Sequence, residues 1–107
     1  MRSKEYEAAY FTLLRAQEEW QDLVRYRDFL DTERDRLDAF SEETRQRTDA
    51  LPRRVRRPVA ATGRPLLEAV GRRRVVVLDE RRRVDDRIRA AEEFVAECQA
   101  DVDTLRT

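Results

Sequence analysis

A chain of 107 residues with 23 basic side chains, 23 acidic ones and no histidine is at most one small domain. Charged residues make up 43% of it and mean hydropathy is −0.87, yet 40% are apolar and Gly and Pro number only 2 and 3. That is the composition of a long helix or coiled coil, which buries a seam and leaves no deep catalytic pocket. The missing histidine removes the usual general base and the commonest metal ligand.

The single Cys98 has no partner for an internal disulfide. No run of 18 apolar residues exists, and the start, MRSKEYEAAY, lacks the apolar stretch of a signal peptide, so a cytoplasmic location is expected. Charge is segregated along the chain. Residues 1–51 carry 9 Lys/Arg against 13 Asp/Glu, residues 52–83 carry 11 against 3, and residues 84–107 carry 3 against 7. Every basic residue but Lys4 is arginine, which fits either a GC-rich genome or selection for forked donors to phosphate and carboxylate.

In chain order, the first element predicted is a helix over about 3–51, which contains no Gly or Pro. Its apolar positions fall into two stripes. Tyr6, Tyr10, Leu13, Gln17, Trp20 and Val24 form one; Leu23, Tyr26, Leu30, Glu33, Leu37, Phe40, Thr44, Arg47 and Leu51 form the other. Passing between them through Trp20, Leu23 and Tyr26 takes two consecutive steps of three, a stammer. Either the helix is locally overwound, or the first stripe (Tyr6, Tyr10, Leu13, Trp20, Val24) faces a second chain as an oligomer interface. A break at Ser41, with SEET as a new cap, is the remaining variant.

Residues 52–64, PRRVRRPVAATGR, hold two of the three prolines, and Pro65 follows directly, so a bend is expected there. The second helix is predicted over about 65–106. Leu67, Val70, Arg74, Val77, Arg81, Val84, Ile88, Ala91, Val95, Cys98, Val102 and Leu105 alternate spacings of three and four, as a coiled-coil seam does. This answers for VVVLDE, Val75–Glu80, which looks like the Walker B strand of a nucleotide hydrolase. It has no period of two and no phosphate-binding loop to serve, so helix is expected.

The fold class that follows is all-α: a long antiparallel two-helix coiled-coil hairpin dimerising into a four-helix bundle, in one domain over 1–107. A bend centred near Val59 would set Arg74 opposite Glu42 or Glu43, and Arg81 opposite Asp35 or near Asp38. Those arginine–carboxylate pairs would hold the register.

No catalytic, metal, cofactor or small-molecule site is expected. The adjacent acids Glu18-Glu19, Asp85-Asp86 and Glu92-Glu93 point about 100° apart on a helix, so they make no acid/base dyad. Cys98 sits on the seam by phase and has no histidine to activate it. One feature asks for a partner: folding back gathers Arg53, Arg54, Arg56, Arg57 and Arg64 at one end, with Arg72 and Arg73 on the next turns. Such a tip suits an acidic protein surface, a nucleic-acid backbone or anionic lipid, though Val55 and Val59 offer lipid little anchorage.

The outline is similar to the hairpin coiled-coil arms of prefoldins, of tRNA-binding synthetases and of RNA polymerase secondary-channel factors, in architecture alone; the last carry acids at the tip where this chain carries arginines. The expected function is a non-enzymatic interaction and oligomerisation module, an adaptor, whose tip docks an acidic partner. The alternative is binding of an RNA or DNA backbone.

Overall fold

A computed structural model describes residues 3–106 and shows an all-α chain: helix α1 over Lys4–Asp49 and helix α2 over Arg53–Arg106, with no strand among the described residues. The fold is a helical hairpin. It divides, within both helices, into two compact units: Met1–Asp28 with Arg82–Thr107, and Phe29–Arg81.

Ser3 opens α1 by accepting from the Tyr6 N–H on its hydroxyl (3.2 Å) and from the Glu7 N–H on its carbonyl (3.3 Å). Glu5 and Glu7 in the first turn and Arg47 in the last complement the helix dipole. The helix runs unbroken through Ser41, so SEET is no cap.

The predicted bend over 52–64 needs correction. The reversal occupies Ala50, Leu51 and Pro52 alone, and residues 53–64 are already helix. Pro52 starts α2 as a cap: its carbonyl accepts the N–H groups of Val55 (3.0 Å) and Arg56 (3.1 Å). The Leu51 carbonyl, left without a helical donor, accepts from Arg56 Nη2 at 3.1 Å. Among the described residues no backbone φ is positive, so the turn needs no glycine. Pro58 and Pro65 remain inside α2 because they are seven residues apart, on the same exposed face. Their rings and the carbonyls they orphan, those of Arg54 and Ala61, therefore meet water and not α1.

The seam of α2 lies where its spacing puts it. Of the twelve predicted positions, Val77, Val84, Ile88, Cys98 and Val102 are buried, six are half-buried, and only Leu105 is exposed. Val75–Leu78 are helical, so the Walker-like stretch is a look-alike.

The two stripes of α1 are replaced by one. Tyr6, Ala9, Leu13, Ala16, Trp20, Leu23, Arg27, Leu30, Arg34, Leu37, Ser41, Thr44, Thr48 and Leu51 alternate threes and fours without a slip, and all are buried or half-buried. There is no stammer. Tyr10, Tyr26, Phe40 and Arg47 lie off this line and are exposed. In the first unit, Tyr6, Leu13 and Ala16 pack with Cys98 and Val102, flanked by Ala9 and Val95.

Neighbouring valines test this geometry. Val77 is 2% exposed and Val76 53%. Val77→Ala is expected to cost about 1–2 kcal/mol in urea unfolding followed by circular dichroism, for the lost methyls less the helix propensity of alanine. Val76→Ala should be neutral or slightly stabilising. Equal losses at both sites would contradict the helix.

Candidate functional site

In the unit spanning Phe29–Arg81, Arg81 Nε donates to Asp31 Oδ1 at 2.8 Å and Arg74 Nε donates to Asp38 Oδ1 at 2.6 Å. A step of seven along α2 is matched by a step of seven back along α1, as antiparallel heptads require. The arginines do meet carboxylates, but not Glu42, Glu43 or Asp35. Reversal at Ala50–Pro52, and not near Val59, brings α2 against residues about one turn nearer the start of α1. Asp35 instead receives Arg34 (3.2 Å) on its own helix, and Glu42 accepts from Gln46 (3.2 Å). Asp31 also lies 3.7 Å from Arg34 Nη1. In the other unit Trp20 Nε1 donates to Glu92 Oε1 at 3.4 Å.

The residues predicted as an oligomer interface divide. Tyr6 and Leu13 are buried in the intrachain core, and Trp20 and Val24 are half-buried. Only Tyr10, 40% exposed and stacked on Tyr6 with ring centroids 6.3 Å apart, faces outward, together with Phe11 and Leu14. The physical reason is the phase of the true seam, which passes through Tyr6, Leu13 and Trp20 and leaves Tyr10 beside it.

The unit spanning Phe29–Arg81 has two unlike flanks. One carries the Arg74–Asp38 and Arg81–Asp31 pairs. On the other, helical spacing sets Phe29, Phe40, Val55, Val59, Leu66 and Val76, all exposed. Reading only the large apolar letters joined Phe40 to the seam; admitting alanine, serine and arginine as seam residues would have revealed the flank.

The arginine cluster lies where the turn puts it, at the exposed start of α2. Arg53, Arg54, Arg56 and Arg57 fill its first turns, and no acid stands in the first turn. Unpaired N–H groups and the positive end of the dipole already favour an anion there, so the arginines add like charge to like. Among the described residues none of Arg53, Arg54, Arg57, Arg64, Arg72 and Arg73 forms an ion pair; Arg56 alone is engaged, on Leu51. Elsewhere the arginines at 25, 27, 34, 47, 74, 81 and 89 meet carboxylates.

Behind this cluster the seam thins. Thr44 and Thr48 of α1 and Val59, Ala60, Gly63 and Leu67 of α2 line a cavity of about 220 Å³, which the sequence reading missed.

Cys98 is buried as its phase predicts. Burial first, and then the nearby Asp101 and Glu97 carboxylates, push its thiol above the ordinary range. Among the described residues no group of three or more His, Cys, Asp or Glu is placed to hold a metal, and no helix is long and apolar enough to cross a membrane. Comparison with protein-family models, curated proteins and solved structures finds no match.

Two measurements check this geometry. A double-mutant cycle on Arg81→Ala and Asp31→Ala should give a coupling of about 1 kcal/mol, weakened by salt. Arg74→Ala with Asp38→Ala, a more exposed pair, should give a few tenths. Coupling of Arg81 to Asp35 instead would restore the earlier register. Iodoacetamide should alkylate Cys98 at pH 8 at least about tenfold more slowly in the folded chain than in urea. Because the folded thiol titrates above its unfolded value, the stability it contributes is intact at neutral pH and is lost as pH rises through the raised value.

Proposed function

We propose that the chain is a non-enzymatic helical-hairpin association module, which pairs with a second copy and docks an acidic protein surface through the start of α2. The observation that carries this reading is uncompensated charge: among the described residues Arg53, Arg54 and Arg57, at the positive start of α2, and Arg64, further along it, stand exposed and without ion pairs. An acidic partner supplies the missing carboxylates, and arginine forks bind them in pairs. Self-association is supported by the exposed Phe29, Phe40, Leu66 and Val76, which two helices leave uncovered. That flank also holds charges of both signs, Glu33 and Glu80 with Arg36 and Arg73, as a patch that meets itself in a four-helix bundle requires. Cytoplasmic adaptor work suits such a module.

A second reading has the same arginines gripping an RNA or DNA backbone. The preference for arginine over lysine supports it, since guanidinium forks fit phosphate. The sequence has no aromatic between Phe40 and Phe94, so stacking on bases adds nothing at the tip.

A salt series separates the two. Binding of generic RNA and duplex DNA is measured for wild type and for Arg53/Arg54/Arg56/Arg57→Glu. The leading reading expects no more than weak binding even at low salt. A steep loss of affinity with salt, made shallower by the reversal, would establish the phosphate reading. Sedimentation at micromolar concentration should give twice the chain mass; one chain mass removes the self-association half.

A further inference from the structure

We infer that the cavity behind the arginine cluster is the socket for one apolar side chain, of leucine or phenylalanine size, carried on an acidic peptide segment of the partner. This rests on the reading of the tip as a docking site and specifies what it grips.

From Leu67 to Arg81 the seam carries leucine, valine and arginine, whereas at the tip it sets Ala60 and Gly63 of α2 against Thr44 and Thr48 of α1. Side chains this small cannot span the gap between helix axes, and about 220 Å³ is left open. An enclosed apolar cavity of about 150 Å³ takes up benzene, and this groove, larger but open to solvent on one side, has the volume for a leucine or phenyl group. A Cβ built on Gly63 meets nothing within 4 Å, so the glycine relieves no steric conflict. Nor does it serve the backbone, which is ordinary helix there with no positive φ. In a helix interior such a glycine costs about 1 kcal/mol against alanine. Thr48 donates its hydroxyl to the Thr44 carbonyl at 3.0 Å, so that donor is already satisfied within α1.

Charge complementarity selects the occupant. Arg45 and Asp49 stand at the margin of the cavity. Helical spacing sets Arg56 one turn before Ala60, Arg57 three residues before it, and Arg64 directly after Gly63. Among the described residues Arg45, Arg57 and Arg64 form no ion pair, and Asp49 is the one acid in the lining. A second copy that met this place with its own start of α2 would set arginine against arginine and be repelled. A nucleic-acid backbone offers the arginines phosphate but gives the apolar cavity nothing. An acidic peptide with one apolar residue satisfies both, as an anchor in a pocket with a charged rim.

The test uses two fluorescein-labelled nonapeptides of Asp and Glu, one with a central Leu and one with a central Ala, titrated by anisotropy into the full chain. Wild type should bind the Leu peptide about tenfold more tightly, the worth of one buried leucine. Gly63→Leu, which fills the cavity, should raise the melting temperature and abolish the preference while leaving salt-dependent binding of both peptides. Ala60→Leu provides the same filling should Gly63→Leu lose helicity by circular dichroism. A preference that survives both substitutions overturns the inference. So does equal salt-dependent binding of the two peptides by wild type, in which case arginine docking itself stands. Binding of neither peptide at low salt overturns the docking reading along with the socket.

Discussion

Every other feature of the hairpin depends on contact along a narrow apolar line, spaced in threes and fours on each helix. With 43% of its residues charged, the chain has little else to bury, and among the described residues only Val77, Val84 and Val102 lose essentially all contact with water. A β-branched side chain weakens an isolated helix by about half a kcal/mol, while its burial returns about 1.5 kcal/mol or more. Helicity at the valine run is thus a consequence of packing. It is absent as a local preference, which is why Val75–Leu78 resemble a strand when taken alone.

A line of valines and alanines is indifferent to sliding, and the arginines on it remove that freedom. If α2 slipped one heptad in one direction, Arg74 would reach Asp31 but Arg81 would be set against the half-buried Val24. One heptad in the other direction would give Arg81 to Asp38 and oppose Arg74 to Arg45. Only the observed register satisfies both arginines, with Asp31 and Asp38. Each pair is half-solvated and contributes little stability; the misaligned states are penalised more heavily than the native one is favoured.

The start of α2 departs from this economy in two ways at once. Its arginines lack the carboxylates that their counterparts along the seam possess, and its seam residues shrink to Ala60 and Gly63, set against Thr44 and Thr48 of α1. Two prolines add a further cost by orphaning backbone carbonyls on the solvent side. Local preferences that oppose the fold and one another are gathered in this one place, which is why the proposed docking is set there.

Spacing alone determined that residues 67–105 form a seam, that VVVLDE is helical and that Cys98 is buried, because periodicity of three and four depends only on the helix repeat. The prolines between two amphipathic stretches added that the chain doubles back. The phase of α1 was equally present in the letters, but it runs through Ala9, Ala16, Arg27, Arg34 and Ser41, which hydropathy does not single out; Tyr10 and Phe40 drew the eye instead. Where the chain reverses was decided by tertiary structure. Proline costs a helix interior one backbone hydrogen bond and crowds the carbonyl four residues back. That cost is least where the orphaned carbonyl is solvated, as at the exposed Pro58 and Pro65, and their exposure exists only once α1 lies on the opposite side. From that shorter turn follow the partners Asp31 and Asp38, the exposed Phe29–Phe40–Leu66 flank and the cavity beside Gly63, since each depends on which residues of the two helices come level.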